Sequence, residues 1–247
     1  MTTKQEKLKQ REDKIIEISS EMIAEEGFFN LRMSDLAKKS EISVGTLYVH
    51  FESKEDLLIG IAIDAIRKRY ELFKYVQDKY SDPVARLSAI LICDHILNEK
   101  IGEISEIERL AQFPSVWKRA SYRRMEEMKI LCQNIGDFVR EIIETALETG
   151  ELSASNDHAE SIATCINASA WGVCVGMHHV FNSYCIKSQE ILKENDIRHA
   201  YVEAIHALLS GFGYEKKNFK EQLYGIYNEL EEESKNCNSD CTLEEVK

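Results

Sequence analysis

The sequence predicts an all-α fold in two parts: an N-terminal three-helix, helix-turn-helix head joined to a larger helical body. Three observations carry this. Leu, Ile, Ala, Glu and Lys are plentiful, while breakers are scarce, with two prolines (Pro83 and Pro114) and 11 glycines in 247 residues. Apolar residues recur at helical spacing along most of the chain, and nothing reads as a strand. Residues 33–57, MSDLAKKSEISVGTLYVHFESKEDL, hold two short helical patterns around a tight turn, then the start of another.

Helix one is expected over 4–27. Ile15, Ile18 and Met22 fall at i, i+3 and i+7, Ile16 and Ile23 widen the stripe, and Gly27 stops it in a left-handed C′ role. Phe28 and Leu31 follow as apolar plugs. Helix two, 33–40, turns Leu36 and Ala37 inward. Ser43 is placed as the N-cap of helix three, 44–50, which points Leu47 and Phe51 inward. Ser53 caps helix four, where Glu55 and Asp56 sit in the first turn beside the positive end of the dipole. That helix continues through Ile59, Ile63, Ile66 and Tyr70 to about residue 80. Ser81-Asp82-Pro83 opens the next one. Further helices are expected over 83–99, 103–112, 115–149, 156–184, 188–211 and 214–233, with Gly150, Gly211 and Gly213 at ends. The resulting division is a head at 1–55, a body at 56–233 and an acidic, disordered tail at 234–247.

Hydrophobic residues make up 44% of the chain, enough for a proper core. The formal charge of -12 argues against a charge-driven nucleic-acid coat. Part of the acidity is local: residues 229–247 hold seven Asp/Glu against two Lys. The first 55 residues hold nine Lys/Arg against eleven Asp/Glu, so a DNA-reading head must work through the placement of its charges. The charged N-terminus lacks the apolar core of a signal peptide, and no apolar run is long enough to span a membrane, so a cytoplasmic location is expected. Among seven cysteines, Cys93, Cys132, Cys165 and Cys174 fall in apolar helical stretches and read as reduced core thiols, while Cys237 and Cys241 lie in the tail. Cys174 and His178 share a helix face, but one helix rarely completes a metal site, so no metal and no cofactor are expected. Phosphate-loop, dinucleotide and nucleophile-elbow motifs are absent, so the chain is not expected to be an enzyme.

A helix-turn-helix reads DNA by laying its second helix in the major groove while the first crosses the backbone. The segment at 44–50 suits that role. Leu47 and Phe51 pin it, Gly45 permits close approach, and Thr46, Tyr48 and His50 can donate to phosphates. Lys54 stands at the positive end of helix four, within reach of a further phosphate.

Leu36-Ala37, Ile42-Ser43-Val44-Gly45-Thr46-Leu47-Tyr48, His50-Phe51 and Ser53-Lys54-Glu55-Asp56-Leu57-Leu58 together resemble the head of the tetracycline-repressor (TetR/AcrR) family, over about residues 10–60. The resemblance implies phosphate contacts at Thr46, Tyr48, His50 and Lys54. It implies positions near base edges for Ser34, Val44, Gly45 and Val49, with Ser43 capping among them. Arg32 stands where the family often has Thr or Ser and is a further phosphate candidate. Two positions depart from the pattern. Glu41 replaces the turn glycine, at a cost of about 1 kcal/mol in a left-handed conformation. Val44 takes the place of a common Lys or Arg. The basic arm of Lys4, Lys7, Lys9, Arg11 and Lys14 can compensate or be a plain solvated face.

Two half-sites need two heads, so a homodimer is implied. By the resemblance its seam is a four-helix one, with Ala168, Gly172, Val175, His178 and Phe181 on one helix and Tyr201, Ile205, Leu208 and Phe212 on the other. The plainer alternative makes both helices core. A ligand pocket is expected among Cys93, His95, Phe113, Trp117, Tyr122, Met125, Met128 and Trp171, whose aromatic and Met character suits an apolar or aromatic effector. Each is also a natural core residue. Arg119, Arg123 and Arg124 read as a solvated basic face. The expected partners are a double-stranded operator, a second copy and a small-molecule effector, with no membrane. The rival reading is a helical enzyme or protein-interaction module whose head has lost DNA competence.

Overall fold

A computed structural model of the chain describes residues 3–100, 102–153, 161–162, 164–166, 168–169, 172 and 194–236. The labelled helices are α1 (Lys4–Glu26), α2 (Met33–Lys39), α3 (Val44–His50), α4 (Lys54–Asp78), α5 (Pro83–Lys100), α6 (Gly102–Leu110), α7 (Pro114–Trp117), α8 (Tyr122–Glu148), α9 (Glu194–Gly211) and α10 (Phe219–Asn236). No strand occurs among the described residues. None of the described helices is long and apolar enough to cross a membrane.

Caps explain most helix ends. Thr3 and Glu6 close a reciprocal capping box on α1, with Glu6 N–H donating to Thr3 Oγ1 at 3.2 Å and Thr3 N–H to the Glu6 carboxylate at 2.6 Å. Gly27 ends α1 at φ 79° but ψ 153°, so its φ is positive while its ψ is extended rather than left-handed helical. Ser53 caps α4, its Oγ accepting from Asp56 N–H at 2.9 Å.

The single helix expected over 115–149 is broken. α7 ends at Trp117 and α8 starts at Tyr122. Ser121 makes the break: its Oγ accepts from Arg124 N–H at 3.3 Å, and its own N–H donates to Asp56 Oδ1 at 2.8 Å instead of to a helical carbonyl. Most of the helix expected over 156–184 lies outside the described residues, although residues 161–162, 164–166, 168–169 and 172 are helical. The expected tail also lies outside them from residue 237 onward.

The chain sorts into two compact units that are cut differently from the 1–55 and 56–233 expected from sequence. The first comprises Met1–Tyr70 and Asn98–Asn134, and the second Glu71–Leu97 and Ile135–Lys247. In the first, α1 packs on α2 and α6, and α2 on α3. Its buried residues include Ile15, Ile23, Leu31, Leu36, Leu47, Phe51, Leu57, Ile59, Ile63 and Ile107. Gly60 permits a close approach, since a Cβ there would meet the Phe51 ring at 2.9 Å.

In the second unit α5 is apolar on most sides, as a helix at the centre of a bundle must be. Val84, Leu87, Ala89 and Ile92 of α5 are buried with Val139, Ile142, Ile143 and Ala146 of α8, Val202 and Leu209 of α9, and Leu223 and Ile226 of α10. Each fully buried Leu or Ile contributes roughly 1.5–3 kcal/mol. Tyr201 and Ile205, expected at a seam between copies, are 1% and 3% exposed within the single chain. Tyr201 donates its hydroxyl to Leu91 O at 2.9 Å, and its ring stacks on His95 with centroids 4.1 Å apart. His95 and Cys93, expected as pocket liners, are buried in this same core. Leu208 and Phe212 are half-buried against it. Ala168 and Gly172 are exposed, whereas Trp171, Val175, His178 and Phe181 lie outside the described residues. Cys132 and Cys165, expected in the core, are exposed.

Tyr201 is therefore a core anchor, and truncating it tests that. Tyr201→Phe should cost about 1 kcal/mol by loss of one hydrogen bond. Tyr201→Ala should cost roughly 3–5 kcal/mol by loss of the packed ring. Thermal melts followed by circular dichroism measure both, and equal melting temperatures would show that the ring carries no core load.

Candidate nucleic-acid interface

The site is the turn between two seven-residue helices, α2 and α3, and the outward face of the second. α2 is held by Leu36 and Ala37, both at most 1% exposed. Its C-terminus closes with paired bonds, from Glu41 N–H to Lys38 O at 3.1 Å and from Ile42 N–H to Ala37 O at 3.0 Å. This is the Schellman arrangement, which needs a left-handed residue at C′. Glu41 is that residue, at φ 56°, and is the one described non-glycine residue with positive φ. The sequence departure at this position therefore leaves the turn geometry intact and places the strain on Glu41.

Ser43 then caps α3. Its Oγ accepts from Thr46 N–H at 3.0 Å and shares a hydrogen with Thr46 Oγ1 at 2.8 Å. Leu47 and Phe51, both fully buried, fix the inner face. Val44, Tyr48 and Val49 are 42%, 46% and 77% exposed, an unusual share of apolar surface for a helix this short. Gly45 lies on the exposed side, and a Cβ there would meet only Ser43 Oγ at 3.8 Å. Nothing within the chain demands glycine at that position, which leaves its bare backbone open to an outside partner. Arg32 and Ser34 at the start of α2 are exposed as well.

Two expected phosphate contacts are placed differently. His50 is buried, 4% exposed, with its Nδ1 3.8 Å from Glu12 Oε1 and without a hydrogen-bond partner. The last residue of α3 thus faces inward and cannot reach a phosphate in this arrangement. Lys54 folds back toward the α1–α2 loop, donating to Phe29 O at 3.2 Å with Nζ 4.5 Å from the Phe28 ring centroid. Partial burial holds its ammonium below the usual lysine range, against a smaller opposing effect of Glu55. Lys54 has further N–H groups, so this clasp leaves it able to donate outward.

Residues expected from sequence only in capping or surface roles support this face, together with Ser121. Asp56, 1% exposed, accepts from Glu52 N–H at 3.1 Å and from Ser121 N–H and Oγ at 2.8 and 2.7 Å. Ser53 Oγ donates to Arg119 O at 2.7 Å, and Arg119 pairs with Glu55 at 2.9 Å. The basic face expected at 119–124 is thus partly internal, because Arg124 is 3% exposed. The sequence signal was a serine followed three residues later by a backbone in need of a cap. Of the expected pocket residues in this unit, Phe113, Trp117 and Tyr122 are exposed, Met125 is half-buried and Met128 is buried. A surface groove in the second unit, lined by Lys216, Lys217, Asn218, Glu221 and Gln222, contains none of the expected liners.

Glu41→Gly should relieve the left-handed strain and stabilise the chain by about 1 kcal/mol, a rise of roughly 2–4 °C in melting temperature. An unchanged or lower melting temperature would show that the Glu41 side chain compensates for its backbone.

His50 makes stability depend on pH. Burial, the largest effect, pushes its pKa below the ordinary 6.5; Glu12 opposes this and Arg11, Arg124 and Arg123 add to it. Because the folded value is depressed, the contribution is full above 6.5 and is lost as pH falls from there through the folded value. Melts at about pH 7.5 and about pH 5 should show the head less stable in acid, and His50→Gln should flatten that dependence. The same slope in the variant would assign the pH effect to other groups.

Comparison with known proteins gives a consistent answer. Residues 15–61 match the family model of bacterial regulatory proteins, tetR family. An HTH-type transcriptional regulator of Staphylococcus aureus (strain bovine RF122 / ET3-1) is 33% identical over 88 residues, covering 36% of this chain and 46% of that protein. The HTH-type transcriptional repressor KstR2 of Mycolicibacterium smegmatis is 24% identical over 135 residues, covering 51% and 66%. The chain thus matches between about half and two thirds of the length of these relatives. A TetR/AcrR-family regulator from Thermobifida fusca superposes with a TM-score of 0.58 at 18% identity, covering 84% of this chain and all of that one. The regulator FadR from Bacillus subtilis, solved with stearoyl-CoA, superposes with a TM-score of 0.59 at 18% identity, covering 80% and 97%. At such identities the structures speak for the fold alone. The ordered match of residues 15–61 to the tetR family model stands on a helical fold shared with a solved TetR/AcrR-family regulator.

Proposed function

We propose that the chain is a transcriptional repressor that binds a pseudo-palindromic operator as a homodimer and lets go when a small, largely apolar or aromatic ligand binds its body. The observation that carries the DNA-reading part is the outward face of α3. Val44, Tyr48 and Val49 are exposed around a bare Gly45 on a helix pinned by Leu47 and Phe51. A helix of this size and exposure fits a major groove. Tyr48 and Thr46 grip phosphates, while Val44 and Val49 pack on thymine methyls, which reads bases with few hydrogen bonds. Arg32, Ser34 and the outward capacity of Lys54 complete the backbone grip.

Ligand release follows from the need for two heads spaced about 34–36 Å apart on successive major grooves. A ligand that binds one conformation of the body more tightly than another shifts that spacing. The bound stearoyl-CoA of FadR supports an acyl or otherwise apolar effector as the class to try first. The rival reading, a head without DNA competence, draws on the exposed carboxylate of Glu41 in the turn itself, on Val44 in place of a basic residue, and on the net negative charge of the head.

A gel shift on the DNA upstream of the chain's own coding region, run over a salt series, decides between the two. A steep fall of affinity with salt is expected, because several phosphate contacts release counterions. Tyr48→Ala, and Lys54→Ala alongside it, should weaken the shift about ten-fold or more while the circular dichroism spectrum is unchanged. A folded double variant that binds as well as the wild type would remove α3 from the interface.

A further inference from the structure

Glu12 stands where α1 should carry an apolar residue. It lies on the stripe that continues through Ile15, Ile16, Ser19, Met22 and Ile23, and it is 8% exposed. Its Oε1 accepts from Arg123 Nη2 at 2.8 Å and pairs with Arg124 Nη2 at 3.0 Å. His50 Nδ1 lies 3.8 Å from the same oxygen. One carboxylate oxygen therefore gathers α1, the last residue of α3 and the first turn of α8.

The grip extends to the residue after α3. The Arg124 guanidinium lies 4.9 Å over the Phe51 ring, while its Nη1 reaches Glu127 Oε2 at 3.4 Å. His50 and Phe51, which end the reading helix, thus both rest on groups that Glu12 holds or faces. Burying such charges is costly, and buried pairs secure geometry more readily than stability. None of these side chains lies on the face that carries Val44, Tyr48 and Val49.

We propose that Glu12 is a positioning residue for DNA reading: by holding Arg124 and facing His50, it sets the angle at which α3 meets the groove. This rests on the assignment of α3 as the reading helix. Glu12 makes no DNA contact in this role, so its loss removes no phosphate interaction. A displacement of the first turn of α8 reaches the C-terminal end of α3 through Glu12, which faces His50, and through Arg124, which lies over Phe51.

The test uses the full chain, an operator duplex mapped by footprinting upstream of its own coding region, and a scrambled duplex of equal length. Both affinities are measured over a salt series for the wild type, Glu12→Gln and Arg123→Ala, with the folded fraction taken from circular dichroism. Glu12→Gln should lose about ten-fold in operator affinity while scrambled-duplex affinity and the salt slope stay at wild-type values. Arg123 is more than half exposed, so its removal leaves the core alone, and Arg123→Ala should lose a smaller factor in the same sense. Unchanged operator affinity per folded molecule overturns the proposal. So does a parallel fall for both duplexes with a shallower slope, which would mark a phosphate contact. If Glu12→Gln does not fold, Arg123→Ala decides, and an unchanged ratio between the duplexes overturns the proposal. A wild type that does not prefer the operator overturns the reading of α3 itself, before any variant is compared.

Discussion

The first unit depends on a carboxylate that water does not reach. Asp56 sits in the first turn of α4 and is 1% exposed. A charge so placed is tolerable only when its lone pairs are filled, and here a backbone N–H from Glu52 and both donors of Ser121 fill them. The bond from Ser121 N–H sets where α8 begins. That start fixes the register of Arg123 and Arg124, hence the seat of Phe51 and the end of α3. Ser53 works alongside, capping α4 with one face of its hydroxyl and tying Arg119 O with its proton.

Local chemistry made much of this legible in the sequence. Ser43 and Ser53 announced their helices because side-chain oxygens must satisfy free N–H groups at the first turn. Glu41 stood at a left-handed position because a Schellman end demands one whatever residue is supplied. The inner stripes of α1 and α3 followed from periodicity. The outward placement of Val44 and Val49 was expected from the family resemblance, and the inward placement of Leu47 and Phe51 agrees with it.

The rest was hidden because its partners are distant in sequence. Ser121 breaks the helix expected over 115–149 through a carboxylate 65 residues away. His50 turns inward because Glu12 and Arg124 converge on it. Tyr201 has the look of an interface aromatic, yet its hydroxyl is committed to Leu91, 110 residues earlier. Periodicity says that a face is buried without saying against what, so core and seam look alike from one chain. Glu12 was legible in principle, since it lies on an apolar stripe, but a lone charged residue there reads as noise until its partners are known.

Much of the positive charge near the head is already committed. Lys39 lies near Glu21 and Glu25, Arg119 pairs with Glu55, and Arg123 and Arg124 share Glu12. Under the proposed reading of the chain as an operator-binding repressor, this has a kinetic and a statistical side. Weak attraction to arbitrary duplex shortens each sliding excursion and slows the search. It also leaves few molecules stranded on the wrong DNA, so occupancy of the right site is set by its own contacts rather than by competition from the rest of the chromosome.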